Sequence, residues 1–155
     1  YQRLGRLEEA LQMKRDVYSG RLKLLGEKHE DTLRAANNYA KSLISIKRFE
    51  EAKALLRKTV PVARRVLGDG KDLTLKMRWI CGQSLYRDNG ATLDDLREAV
   101  TTLEETERTA RRVLGGAHPL TVNIERALRY SREALSARYV SALREAMEAM
   151  TPGDA

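Results

Sequence analysis

The chain has 155 residues, a formal net charge of +7 and 33% charged residues, with 42% hydrophobic and only 5% aromatic. That length suits one domain, and so wet a composition suits slim helices sharing a thin core rather than one thick globule. No apolar run approaches the ~20 residues of a membrane span, and the single Cys81 excludes an internal disulfide framework and favours a reducing compartment.

The predicted elements, taken in chain order, repeat themselves. A first helix carries Glu9-Ala10 and ends at Leu25-Gly26. A short polar link containing His29 and Thr32 follows. A second helix then places Leu33, Ala36, Tyr39, Ala40 and Leu43 on one side. A third carries Glu51-Ala52, and its Ala52, Leu55, Leu56, Val60, Ala63, Val66 and Leu67 recur three and four apart. It ends on Ala-Arg-Arg-Val-Leu-Gly at residues 63–68. Arg64 and Arg65 face the negative end of the helix dipole, and Gly68 is expected to stop the helix in the left-handed conformation. Pro61 lies inside this helix and predicts a lost hydrogen bond and a kink near Val60.

After the link Gly68-Asp69-Gly70-Lys71, a fourth helix offers Leu75, Ile80, Cys81 and Leu85. The stretch at residues 87–93, Arg-Asp-Asn-Gly-Ala-Thr-Leu, carries an Asn-Gly turn signal. A fifth helix presents Glu98-Ala99, then Val100, Leu103, Val113 and Leu114, with a polar middle at Thr106 and Thr109. It ends on the same six letters, Ala-Arg-Arg-Val-Leu-Gly, at residues 110–115. His118 and Pro119 open the next helix, with proline at the first helical position.

The Leu-Gly anchors stand 42 and then 47 residues apart, yet the distance from the alanine of Glu-Ala to the leucine of Leu-Gly is 15 in every copy. The extra residues of the longer period therefore sit at residues 87–93, at a turn between helices, where insertions cost little. Beyond the third anchor, no Gly or Pro interrupts residues 120–151. An apolar stripe continues through Leu128, Leu135, Tyr139, Ala142, Ala146 and Met150, which predicts one long terminal helix capping a stack. The alternative is a fourth hairpin with an unrecognised turn.

These phrases resemble the tetratricopeptide repeat, and within it the 42-residue variety of the kinesin light chains. Leu25-Gly26, His29, Asn37-Asn38-Tyr39-Ala40, Phe49-Glu50-Glu51-Ala52 and Leu67-Gly68 carry the likeness, as do Leu114-Gly115, His118-Pro119 and Thr121. The middle copy departs, with Lys71 in place of the histidine and Cys81-Gly82 in place of Leu-Ala. Arg129 and Arg132 also depart, standing where small or apolar residues are expected. The resemblance covers residues 1–135 and implies an all-α, right-handed superhelix of stacked antiparallel hairpins. Residues 136–155 are left as a capping helix and tail. It also implies that the chain starts inside a repeat, with Tyr1 within a truncated first helix, as a fragment of a longer array would.

In such an array the first helix of each hairpin lines the concave side. The resemblance nominates as groove residues Arg34, Asn37, Asn38 and Lys41, then Lys76, Trp79, Gln83 and Arg87, then Asn123, Arg126 and Tyr130. Residues 34, 37, 38 and 41 are also spaced to share one helix face on geometry alone. Asn offers a donor and an acceptor for a peptide backbone, Arg and Lys favour carboxylates, and Trp79 and Tyr130 offer flat apolar surfaces. Core packing of Trp79 and loop contacts of the two asparagines are the competing readings.

No catalytic, cofactor or metal constellation emerges. His29 and His118 occupy the same helix-entry position in two copies. One Cys and two dispersed His give no zinc spacing. Residues 68–71 lack the strand and the Ser or Thr of a phosphate loop. The sequence therefore predicts a non-enzymatic protein-interaction module whose groove takes an acidic or extended peptide, with no small-molecule substrate. A structural subunit of a larger assembly, acting through its convex face, cap or residues 87–93, is the alternative. Nucleic-acid binding ranks below both, because 22 acids are interleaved with the 29 bases.

Overall fold

The computed structural model describes residues 2–151. They form six helices: α1 (Gln2–Leu25), α2 (Glu30–Ser45), α3 (Phe49–Leu67), α4 (Asp72–Tyr86), α5 (Leu93–Leu114) and α6 (Pro119–Met150). The initiating Tyr1 of the expected truncated helix lies outside the described residues. No helix among those described is long and apolar enough to cross a membrane.

Each helix packs against its neighbours in sequence, as antiparallel hairpins with short links must. A second set of contacts joins α2 to α4 and α4 to α6. By contrast, no Cα atom of α1 comes within 8 Å of α3, nor any of α3 within 8 Å of α5. The helices thus form two layers with unequal spacing. The closely spaced layer of α2, α4 and α6 is the inside of the curve, and α1, α3 and α5 form the outside.

Small side chains let neighbouring helices of the two layers pack closely. Ala36, Ala40, Ala52 and Ala99 are fully buried. Gly82 occupies the position of Ala40, and a Cβ built there would lie 2.6 Å from Leu103 Cγ. The apolar core is correspondingly a thread rather than a ball. One cluster joins Leu11, Ala40, Leu43, Leu56, Ile80 and Leu85. Another joins Leu33, Val62, Leu73 and Met77, and a third joins Leu75, Leu103, Leu120, Ile124 and Leu128. Cys81 is buried in this thread, and burial pushes its thiol up to about 11.

The Leu-Gly anchors occupy equivalent places. Leu25, Leu67 and Leu114 are the last residues of α1, α3 and α5, and the following Gly26, Gly68 and Gly115 all have φ between 85° and 90°. At Gly68 and Gly115 ψ is 158° and 156°, so these glycines take the extended mirror-image region rather than the left-handed helical one expected. Their N–H groups still satisfy the Arg64 and Arg111 carbonyls at 3.1 and 3.0 Å, and the extended ψ directs the chain into the link. Val66 and Val113, placed in the apolar stripe by spacing, are about half exposed because the last turn overhangs the layer beneath.

The threonine seven residues past the Leu ties the helices of the first two copies together. Thr32 Oγ1 donates to the Arg21 carbonyl at 3.3 Å, and Thr74 Oγ1 donates to the Ala63 carbonyl at 3.5 Å. Thr121, the third copy, is fully buried with no partner. The polar middle of α5 is explained locally: Thr106 and Thr109 donate back to the carbonyls four residues earlier, at 2.6 and 3.1 Å. Helix α3 is continuous across Pro61, which is exposed, so the carbonyl it leaves without a donor is on the solvent side.

Residues 87–93 fold as a tight turn. Asp88 Oδ1 accepts from Gly90 N at 2.9 Å, and Thr92 with Asp95 forms a capping box for α5. Its Asn89 carbonyl accepts from Arg138 of α6 at 3.3 Å. α6 is one unbroken helix of 32 residues, not a fourth hairpin, and it passes residue 135 without interruption. Its buried residues end at Ser131, and Leu143, Met147 and Met150 are 62%, 68% and 82% exposed.

Replacing Gly82 with Ala is expected to destabilise the fold by about 1–3 kcal/mol, the usual cost of overpacking a filled interface. The loss should appear as a lower urea midpoint. Ala at Gly90, in the open turn, should leave the midpoint within about 0.5 kcal/mol of the parent protein.

Candidate functional site: the inner face of α2, α4 and α6

The inner face begins on α2. Its first turn starts at the N-cap His29, whose Nδ1 accepts from Asp31 N at 3.1 Å. His118 does the same for Leu120 N at 3.1 Å at the start of α6. Both histidines are therefore helix caps. Lys71, standing in the middle copy, cannot accept, and the N-terminus of α4 has no side-chain cap.

Between α2 and α4 lies a concavity of about 220 Å³ lined by Arg34, Asn37, Asn38, Lys41, Lys76 and Trp79, with Leu73 and Ile80. Six of the eleven sequence-nominated residues thus meet in one place. Arg34, Asn38, Lys41 and Lys76 are exposed at its rim. Asn37 is only 5% exposed, deeper than a rim position, and Trp79 is half-buried, so groove and core share its ring.

Two polar atoms of this concavity have no partner. Asn37 Oδ1 is a buried acceptor and Trp79 Nε1 a buried donor, and neither makes a hydrogen bond. Such atoms are uncommon in folded proteins, because each forfeits its bond to water without replacement.

The other five nominees do not line this concavity. Gln83 and Arg87 continue the row along α4, half-buried and exposed respectively. Asn123, Arg126 and Tyr130 repeat it on α6, with Asn123 half-buried and the other two exposed. Arg87 is the C-cap residue of α4. The Tyr130 ring packs beneath Arg129, whose guanidinium carbon lies 5.8 Å from the ring centre.

A second concavity of about 430 Å³ adjoins the first, sharing Arg34, Leu73 and Lys76 and adding Glu30, Gly70, Lys71 and Asp72. Glu30 pairs there with Arg34 at 3.4 Å and Lys71 at 3.9 Å. Spacing on α2 alone could not reveal Lys71, Leu73 or Ile80, which reach the site only when α4 docks. The one local signal was Lys71 in the place of a capping histidine. Lys41 and Lys76 form no ion pair among the described residues.

The outer layer is chemically different. Lys53 is almost buried and pairs with Glu50 at 2.8 Å and Asp95 at 3.4 Å, while Arg57 reaches Glu98 at 2.7 Å. Burial alone would push the Asp95 carboxyl up, but the Thr92 backbone N–H and Lys53 hold it below the ordinary carboxylate value. The Lys53–Asp95 and Arg57–Glu98 pairs bridge α3 and α5 where the backbones stand apart.

The two-layer stack of hairpins defines an all-α helical-repeat solenoid, a class that presents an extended concave surface. Residues 1–65 match the family model of the tetratricopeptide repeat, and those residues carry that repeat. No curated protein matches the chain. Tetratricopeptide repeats are in general protein–protein interaction modules and typically non-enzymatic scaffolds.

Asn37 supplies no hydrogen bond to the fold and strands an acceptor. Replacing it with Ala, the better helix former, is expected to raise stability by about 1 kcal/mol. A urea melt at neutral pH measures this, and a midpoint below that of the parent protein would show that Asn37 serves the fold after all.

Proposed function

We propose that the inner face of α2, α4 and α6 binds an acidic, extended peptide segment of a partner protein. One observation carries this reading. A buried acceptor, Asn37 Oδ1, and a buried donor, Trp79 Nε1, stand unpartnered in the same concavity, beneath the unpaired Lys41 and Lys76. A peptide unit offers one N–H and one C=O, the complement of that pair. Asn38 at the rim adds a further donor and acceptor, and acidic side chains on either side of the unit would meet Arg34, Lys41 and Lys76.

The row then continues through Gln83 and Arg87 to Asn123, Arg126 and Tyr130, which take successive residues of an extended ligand. Residues 1–135 serve as the binding array. Residues 136–155 serve as cap and tail, with Arg129 and Arg132 presenting a charged outer face where earlier copies carry Ala40 and Gly82, or Leu43 and Leu85. The competing role of residues 87–93 as an assembly contact is weakened by the Arg138 bond to Asn89, which spends part of that loop inside the chain.

The test is titration with a library of glutamate- and aspartate-rich peptides, followed by calorimetry on the tightest. Arg34→Glu combined with Asn38→Ala should weaken binding at least about tenfold, since charge-assisted contacts are commonly worth more than one power of ten. Trp79→Phe keeps the ring and removes the donor, and should weaken it less. Arg57→Glu on the outer layer should leave affinity unchanged. Equal affinity in the parent protein and the double variant would refute the groove as the binding surface.

A further inference from the structure

The concavity of about 430 Å³ beside the groove holds cations that the fold uses sparingly. Arg34 and Lys76 line both spaces, so the two are continuous, whereas Lys71 lines this one alone. The only anionic contact of Lys71 among the described residues is Glu30, the first residue of α2. One oxygen, Glu30 Oε1, serves both Arg34 Nη2 at 3.4 Å and Lys71 Nζ at 3.9 Å. Glu30 Oε2 has no partner among the described residues.

These contacts are loose. Arg57–Glu98 and Arg64–Asp69 close to 2.7 Å, the length of a strong charge-assisted bond. The side chains of Glu30, Arg34 and Lys71 are 39%, 52% and 51% exposed, so water competes for each of them. A carboxylate held in this way leaves readily.

Helical spacing alone does not produce the cluster. Forty-two residues on, Asp72 and Lys76 stand at the places of Glu30 and Arg34, and they form no ion pair among the described residues. The difference lies in the residue that comes from the following link. For Glu30 it is Lys71. At the corresponding position of the next copy stands His118, whose Nδ1 is occupied in capping α6. Lys71 caps nothing with its side chain, and a lysine there gives up a helix cap while placing an ammonium at the mouth of the groove. Its contact with Glu30 is the only ion pair among the described residues that crosses from α2 to the start of α4.

We propose that this concavity is the subsite for one acidic side chain of the bound peptide, with Arg34 and Lys71 as its partners, and that Glu30 is the built-in competitor for it. The inference rests on the groove binding an acidic segment, and adds to that reading a residue of the link and an autoinhibitory contact. With the groove empty, Glu30 neutralises Arg34 and Lys71 and ties α2 to α4. A carboxylate of the ligand takes its place, and Glu30 turns to water. The exchange replaces one carboxylate by another, so an acid at this position contributes less affinity than one that meets the unpaired Lys41 or Lys76. Asp72 lines the same space but holds neither cation, so it repels the ligand without competing for the subsite.

Calorimetric titration of the full chain with an alternating glutamate–serine peptide tests this, with the alternating glutamine–serine peptide as the uncharged counterpart. Glu30→Gln should strengthen binding of the glutamate peptide about two- to fivefold, the range that an exposed ion pair supplies, and leave binding of the glutamine peptide unchanged. In a protein already carrying Arg34→Gln and Lys71→Gln the same change should have no effect, because nothing is left to compete for. Asp72→Asn should act by the same factor in either background, since its repulsion needs neither cation. Circular dichroism should show every variant folded. A Glu30→Gln protein that binds the glutamate peptide no tighter, or that gains equally without Arg34 and Lys71, overturns the proposal. Unchanged binding in the Arg34→Glu, Asn38→Ala variant means that the groove reading itself fails. Binding lost in that variant, with no gain from Glu30→Gln, means that the competitor alone fails. A glutamate peptide that binds neither the parent protein nor any variant refutes both.

Discussion

The close approach of the inner helices is the constraint on which the rest depends. α2, α4 and α6 touch while α1, α3 and α5 stand apart in their own layer, and that inequality alone bends the stack. Small residues let each helix lie close to its neighbours across the two layers: Ala36, Ala40, Ala52, Gly82 and Ala99 are all buried, and Gly82 of α4 faces Leu103 of α5. A protein with few aromatic residues and no thick core is thereby held together by many thin interfaces, each between neighbours. The cost falls on backbone and small side chains, where even one added methyl group at residue 82 meets Leu103.

Lys53 to Asp95 and Arg57 to Glu98 bridge the wider gap between α3 and α5. At the inner concavity Lys41 and Lys76 are unpaired among the described residues, and beneath them two buried polar atoms lack partners. A fold selected only for stability would replace Asn37 by alanine, as the neighbouring Ala35 and Ala36 suggest. Under the proposed function, the unpaired amide is a stability loss retained for recognition.

Most of the architecture was legible in the sequence because repetition leaves a strong signal. The recurrence of Leu-Gly, Glu-Ala and a threonine at fixed offsets located the outer helix ends, the turns and the five-residue insertion. What the sequence concealed was three-dimensional. The glycines take an extended mirror-image conformation, because the link must leave α3 and α5 at an angle that the left-handed helical region does not provide. Asn37 and Asn38 are adjacent and chemically identical, yet one is buried and the other exposed, a difference set by the docking of α4. The end of the buried stripe on α6 at Ser131 was equally hidden, because the apolar residues themselves continue to Met150.

Trp79 is the only tryptophan, so its indole N–H gives a single, unambiguous resonance. Following that signal by nuclear magnetic resonance during titration with a glutamate-rich extended peptide tests the central claim most directly. The account predicts a progressive downfield shift of the indole proton as Nε1 acquires an acceptor, with the Lys76 and Asn37 backbone amides moving alongside. An indole signal that stays fixed while amides of α3 and α5 move would contradict it.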